Sequence, residues 1–148
     1  MKKIIYNKYV ILFLNHTWGI IMTLIGYMVR LVLLSMGVKG RKEGFARLYK
    51  VGKGWGGVSL GTTIIVACDC DDKDIVGHEQ GHGIQNAFFG VLFPFLIAIP
   101  SAIRYWYREI VRRRDRVAYA LLPQYDSIWF EGQATLIGMI YRNFYQGE

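Results

Sequence analysis

The sequence predicts an α+β fold led by an N-terminal membrane helix, and three stretches carry that expectation. Tyr9 to Met28 is a run of about 20 mostly apolar residues, long enough as a helix to cross a bilayer. Val58 to Cys68, VSLGTTIIVAC, is dominated by β-branched strand formers. His78, Glu79, Gln80, Gly81 and His82 spell H-E-x-x-H, and on a helix the two histidines sit one turn apart on one face.

In chain order, residues 1–36 read as the anchor. Asn15, His16, Thr17 and Thr23 interrupt it mildly, and Arg30 follows near an interface, where it can snorkel. No small-x-small cleavage site follows closely, so a retained anchor is expected rather than a signal peptide. His16 reads as a polar spot on a helix–helix face. Residues 37–148 read as one metal-binding domain. Gly37 to Gly57 is basic and glycine-rich, a loop with one short strand around Leu48 to Val51. The strand Val58 to Cys68 ends at Asp69, Asp71, Asp72 and Asp74, and Asp72 or Asp74 is expected to cap the histidine helix. Gly83 to Trp106 is almost wholly apolar, broken by Pro94 and Pro100, where a helix should kink or end. Asp126 or Ser127 then caps a last helix, Ile128 to about Phe144, with Glu131 near its start.

Composition points the same way. The 148 residues are 53% hydrophobic and 15% aromatic, too apolar for a disordered chain and high for a small soluble enzyme. The net charge of +7 fits nucleic acid or anionic lipid. Its placement favours lipid: Lys2, Lys3 and Lys8 precede one apolar run, and Arg104, Arg108, Arg112, Arg113, Arg114 and Arg116 follow another, beside Tyr105, Trp106 and Tyr107. Nucleic acid is not an expected partner. Cys68 and Cys70 are too close in sequence for an unstrained disulfide, so both thiols are expected free.

The chemistry follows from the motif. Two imidazoles one turn apart can hold Zn²⁺, and Glu79 beside them can act as the general base of metal-assisted hydrolysis. A catalytic zinc normally takes three protein ligands and leaves one position open. Gln85 and Phe88 stand where the metzincin pattern needs glycine and histidine, which excludes that pattern. The gluzincin pattern takes a glutamate from a later helix, and the later acids are Glu109, Asp115, Asp126, Glu131 and Glu148. Glu109 and Asp115 lie among arginines, where ion pairing is the simple explanation. Glu131 lies in an apolar context, Trp129-Phe130-Glu131-Gly132-Gln133-Ala134, where an unpaired carboxylate is costly. Its partner is a metal or an arginine. A competing arrangement is a closed structural zinc site made by Cys68, Cys70, His78 and His82, which leaves Glu79 without a role.

Ser59-Leu60-Gly61, His78 to His82 with Gln85, Phe93-Pro94, Pro100-Ser101 and Trp129-Phe130-Glu131 with Ala134 together resemble a group of small bacterial membrane-associated, zincin-like proteins of gluzincin type. The resemblance covers roughly residues 55–138. It implies a minimal zincin-like fold, Zn²⁺ on His78, His82 and Glu131, and Glu79 as base. It implies nothing about substrate. Thr135 stands where an acidic partner for a histidine is expected, which leaves the histidine rings without the acid that would hold them.

Geometry constrains the apolar segment. A straight helix from Gly83 to Trp106 would carry the chain about 30 Å from the histidines at 1.5 Å per residue. Glu131 can then reach the metal only if residues 83–106 turn back, as a re-entrant or interfacial segment. The resulting expectation is a zinc-dependent peptidase at the bacterial inner membrane, contacting lipids and a peptide or protein substrate. Strand residues Thr62, Ile64 and Val66 would bind that substrate if their strand is a sheet edge. The alternatives are a non-catalytic membrane protein with a structural zinc, and a degenerate zincin.

Overall fold

A computed structural model describes residues 5–70 and 72–146. Lys2, Lys3, Asp71 and Glu148 lie outside the described residues. The fold is α+β. Helices α1 (Lys8–His16) and α2 (Ile20–Ser35) lead into strands β1 (Arg41–Glu43), β2 (Ala46–Lys50), β3 (Gly57–Leu60) and β4 (Thr63–Val66). Helix α3 (Asp72–Phe89) follows, then a 3-10 turn at Gly90–Leu92 and a π-helical turn at Pro94–Ala98. Helices α4 (Ile99–Arg114), α5 (Arg116–Ala120) and α6 (Trp129–Gln146) complete the chain.

The apolar run Tyr9 to Met28 is not one helix. It breaks at residues 17–19, and α1 and α2 meet at a bend of 92°. Partners far away in sequence explain the break. Asn86 on α3 donates to Asn15 Oδ1 (2.7 Å) and to the Gly19 carbonyl (2.9 Å). Asn15 in turn donates to the Ile11 and Gly83 carbonyls, and Thr23 Oγ1 donates to the Asn15 carbonyl. The carbonyls freed at the corner are thereby satisfied in a buried polar knot. Arg30 does not snorkel. Its guanidinium donates to Thr63 Oγ1 (2.7 Å) and to the Thr62 carbonyl, fastening α2 to the β3–β4 turn. His16 bonds Tyr27 across the α1–α2 corner, as a helix-face polar group does.

The predicted strand Val58 to Cys68 is a hairpin. Gly61 turns it with φ 64°, the backbone that a two-residue hairpin loop needs at its first position. The sheet order is β1-β2-β4-β3, with β2 and β4 parallel and the other two pairs antiparallel. β4 therefore lies inside the sheet. Ile64 and Val66 pack towards α3 with Leu48, Val76 and Ile84, while Ile65 packs with Tyr49 and Leu33 of α2. A strand sandwiched by helices has no solvent face, and all four β4 residues are buried.

After α3 the chain doubles back, and the two helical stretches around Leu92–Pro94 are bent by 118°. The turn comes at Gly90–Phe93, just before Pro94. Gly90 has φ 57°, and a side chain there would collide with the Trp18 ring. Pro100 sits in the first turn of α4 without ending it. The π turn before it widens the backbone, which accommodates a residue with no N–H.

No single described helix is long and apolar enough to cross a membrane, though the two bent pairs satisfy length and composition together. Much apolar surface stays open. Leu24, Ile25, Met28, Leu31 and Val32 on α2, and Phe95, Leu96, Ile99, Ile103 and Trp106 after the turn, are all exposed.

Candidate metal centre

Helices α3 and α6 touch almost backbone to backbone. A methyl group on Gly81 would lie 1.9 Å from the Ala134 carbonyl oxygen, and one on Gly138 would lie 1.8 Å from that of Gly77. Small residues at these crossings bring the first turn of α6 against the H-E-x-x-H face. His78 Nε2 then lies 3.0 Å from Glu131 Oε2, and His82 Nε2 lies 3.2 Å from the same oxygen. His78, His82 and Glu131 form a group whose donor atoms all fall within 4.8 Å of one another. Ligands 2.0–2.2 Å from a tetrahedral zinc sit about 3.4 Å apart, so this group needs little movement to take the ion.

The remaining histidine nitrogens are held. His78 Nδ1 lies 2.8 Å from Thr135 Oγ1, which donates to Asp126 Oδ2 at 2.8 Å. The acid missing after Ala134 is thus supplied from a different place, through one hydroxyl. His82 Nδ1 lies 2.8 Å from Gln85 Oε1, and Gln85 Nε2 donates to the Phe130 carbonyl and to Gln133 Oε1. Both rings therefore present Nε2 to the centre.

Glu131 is fully buried and its partners include His78, His82, the Ser101 side chain and the Tyr125 hydroxyl, which donates to Oε1 at 3.4 Å. Among the described residues, no arginine pairs with it. Burial alone would push its carboxyl up, but the hydrogen bonds from His78 and His82 outweigh that and hold it well below the usual carboxylate range. For His82, burial works against the charge, yet Glu131 and Glu79 bring the net shift upward. Glu79 is buried at the mouth of the centre, beside Gly57 of β3, where a side chain would come within 2.8 Å of its Oε1. Burial raises its carboxyl above the ordinary value against the opposing pull of the two histidines. Burial, then the nearby Glu131, pushes the Tyr125 phenol up to about 12, so it remains a neutral donor.

Several sequence expectations change here. Cys68 is exposed and Cys70 donates its thiol to the Trp55 carbonyl at 3.1 Å; both are free and neither belongs to the histidine group. The closed Cys68, Cys70, His78, His82 site is not assembled. Thr62, Ile64 and Val66 are not at a sheet edge. They are buried in the hairpin turn and the interior strand β4, and Thr62 is taken by Arg30. The edge beside the centre is β3. Glu109 pairs with Arg112 and Arg113, as its position suggested, whereas Asp115 caps α5. Arg104 and Arg108 do not simply face solvent: they donate to the carbonyls of Gln124, Tyr125 and Pro123 and stack on the Tyr125 ring. Asp126 supports Thr135 rather than capping α6, and α3 begins at Asp72, so Asp74 is not its cap. The Asp72 side chain lies outside the described residues.

The centre opens into two connected lobes of about 440 Å³ and 270 Å³ that share Gly57, His78, Glu79, Tyr105 and Tyr125. His78, His82 and Glu131 could hold a metal ion, and a second buried carboxylate, Glu79, and a cleft lie beside them, the groups that metal-assisted hydrolysis requires. No protein-family profile, no curated protein and no solved structure matches the chain.

Proposed function

We propose that the chain is a membrane-associated zinc-dependent peptidase of zincin-like, gluzincin-type build. The observation that carries this reading is the convergence of His78 Nε2, His82 Nε2 and a buried Glu131 oxygen beside a second buried carboxylate, Glu79. Among the described residues, Glu131 has no cationic partner but these histidines, and a buried carboxylate in such a setting calls for a cation. The donor set, two imidazoles and one carboxylate with no thiol, fits catalytic rather than structural zinc.

His78, His82 and Glu131 would hold Zn²⁺, which when bound would supply Lewis-acid polarisation of a carbonyl and of a water. Glu79 accepts the proton of the attacking water and delivers it to the leaving amine. Burial raises its affinity for a proton, which suits a group that takes a proton up and gives it back. Thr135 and Gln85 hold the imidazole rings in orientation. Tyr125, neutral and at the junction of the two lobes, would turn its hydroxyl from Glu131 to the oxygen that gains charge. The outer edge of β3 offers backbone groups to an extended peptide.

Membrane association rests on the exposed apolar faces of α2 and of the segment 95–106, far more than single scattered residues. In this reading the doubled-back segment lies in the interface and keeps Glu131 on the same side as the histidines.

The test is a comparison of zinc-loaded wild type with zinc-loaded Glu79→Gln on a peptide mixture read by mass spectrometry. Normal zinc content with hydrolysis lost in the variant supports the proposal. Hydrolysis absent from both, with zinc bound, contradicts it.

A further inference from the structure

The two lobes that meet at Glu79 are both mostly apolar in surface but differ in the charged side chains that line them, and β3 gives the pair a direction. The smaller lobe is lined by Met22, Val58, Phe93, Ile97, Ala102 and Trp106, with Ser59 in its wall. The larger lobe is lined by Asp74, Arg108, Glu109, Tyr119 and Asp126. Within β3, Gly57 lines both lobes and Val58 and Ser59 line only the smaller, more apolar one; just before the strand, Gly56 lines only the larger, more polar lobe, while Trp55 lines the apolar one. β3 therefore runs from the polar lobe into the apolar lobe, and it is the last strand of the sheet.

A peptide that adds to this edge in the antiparallel sense, the more stable and commoner pairing, runs the opposite way. Its amino-terminal part lies over Val58 and Ser59, and its carboxy-terminal part lies over Gly56. Ser59 belongs to the wall of the smaller lobe, with its Oγ buried and without a hydrogen-bond partner. The elements that wall the apolar lobe also carry the open apolar surface: Ile21, Leu24 and Ile25 flank Met22 on α2, and Phe95, Leu96, Ile99 and Ile103 flank Ile97 and Ala102. The apolar lobe thus continues the face that the membrane reading puts against lipid, while the polar lobe is lined by charged side chains.

We propose that the substrate is a peptide cut at the end of an apolar stretch, with bulky apolar residues on the amino side of the scissile bond and hydrophilic residues on the carboxy side, as at the edge of a membrane-anchored segment. This rests on the peptidase reading above.

Two peptides of identical composition test it on the full chain in detergent. One carries Leu-Phe-Leu followed by Ser-Lys-Ser, and the other carries the reverse order. The first should be cut by the zinc-loaded protein at the Leu–Ser boundary at least tenfold faster than the reverse peptide is cut anywhere, since a filled apolar pocket commonly discriminates by that much. Titration calorimetry with the Glu79→Gln protein should rank the two peptides the same way, independent of turnover. Ala102→Trp, on an exposed part of the lobe wall, and Ala98→Leu should each narrow the lobe and move the preference from Leu to Ala beside the cut. Equal cutting and equal binding of the two orders would overturn the inference while leaving a peptidase. Tighter binding of the first peptide with no hydrolysis by wild type would overturn the peptidase reading and leave the polarity of the cleft standing. Cutting that favours the reversed order would overturn the antiparallel placement and with it the proposal.

Discussion

Gly81→Ala should do the opposite of what a helical glycine-to-alanine change ordinarily does. In an exposed helix interior the change gains about 1 kcal/mol, because alanine is the better helix former. Here the new methyl would stand 1.9 Å from the Ala134 carbonyl oxygen and 2.5 Å from its carbon. A carbon–oxygen contact needs about 3.3 Å, so α3 and α6 must part by about 1.4 Å or distort. Overpacking of this kind costs about 1–3 kcal/mol, roughly 3–10 °C in Tm for a chain of this size. The second consequence is chemical. Glu131 lies one turn before Ala134, and its oxygen is only 3.0 and 3.2 Å from the two histidine nitrogens. A metal cage tolerates about 0.2 Å of ligand displacement, so zinc affinity should fall at least about 100-fold. The assay is thermal unfolding together with zinc competition against a chromophoric chelator. Gly56→Ala is the control, since a side chain there meets open space. A Gly81→Ala protein with raised Tm and unchanged zinc affinity would refute the argument that helix contact builds the centre.

Other outcomes follow from the same geometry. His78→Ala or His82→Ala should abolish stoichiometric zinc, read by elemental analysis, and zinc retained in the double variant would remove the site assignment. Thr135→Val should cost about 10–100-fold in zinc affinity by cutting His78 from Asp126, with Thr135→Ser restoring most of it. The metal-free protein should show a pH optimum of stability. Glu131, held below its ordinary 4.5, adds stability above that value and loses it as pH falls further, while His82, raised above 6.5, adds stability below 6.5 and loses it as pH rises. Their joint contribution is therefore complete between pH 4.5 and 6.5, and chemical denaturation of metal-free Glu131→Gln should lack the acid limb of this pair and show a weaker alkaline one, since Glu79 still raises His82. The full chain should partition onto lipid vesicles through α2 and the 95–106 segment, and a monodisperse monomer in plain buffer would argue against the membrane reading.

What was legible in the sequence was local. The i, i+4 spacing fixes His78 and His82 on one face whatever surrounds them, and the apolar setting of Glu131 marks a carboxylate that needs a cation. The requirement that residues 83–106 turn back followed from helix length once Glu131 was taken as a ligand, and the chain does turn back, although glycine and a 3-10 turn rather than the prolines make the corner. What was illegible depended on partners distant in sequence. The break after His16 exists because Asn86, 71 residues beyond Asn15, satisfies the corner. Nothing in VSLGTTIIVAC says that its second half lies inside the sheet, because interior and edge strands share β-branched composition, and so Thr62, Ile64 and Val66 were misplaced as a binding edge. Thr135 carried a readable signal, one helical turn after Glu131 on the same face, but its link to Asp126 needed the fold. The arginines read as lipid contacts from composition, whereas Arg104 and Arg108 spend their donors on the loop that carries Tyr125.

X-ray absorption at the zinc edge on gently purified full-length protein tests the central claim most directly. The account predicts about one zinc per chain in a shell of nitrogen and oxygen at about 2.0–2.2 Å, two of its ligands imidazole, with this pattern lost in Glu131→Ala. A sulfur shell at about 2.3 Å would place Cys68 or Cys70 on the ion and contradict the account.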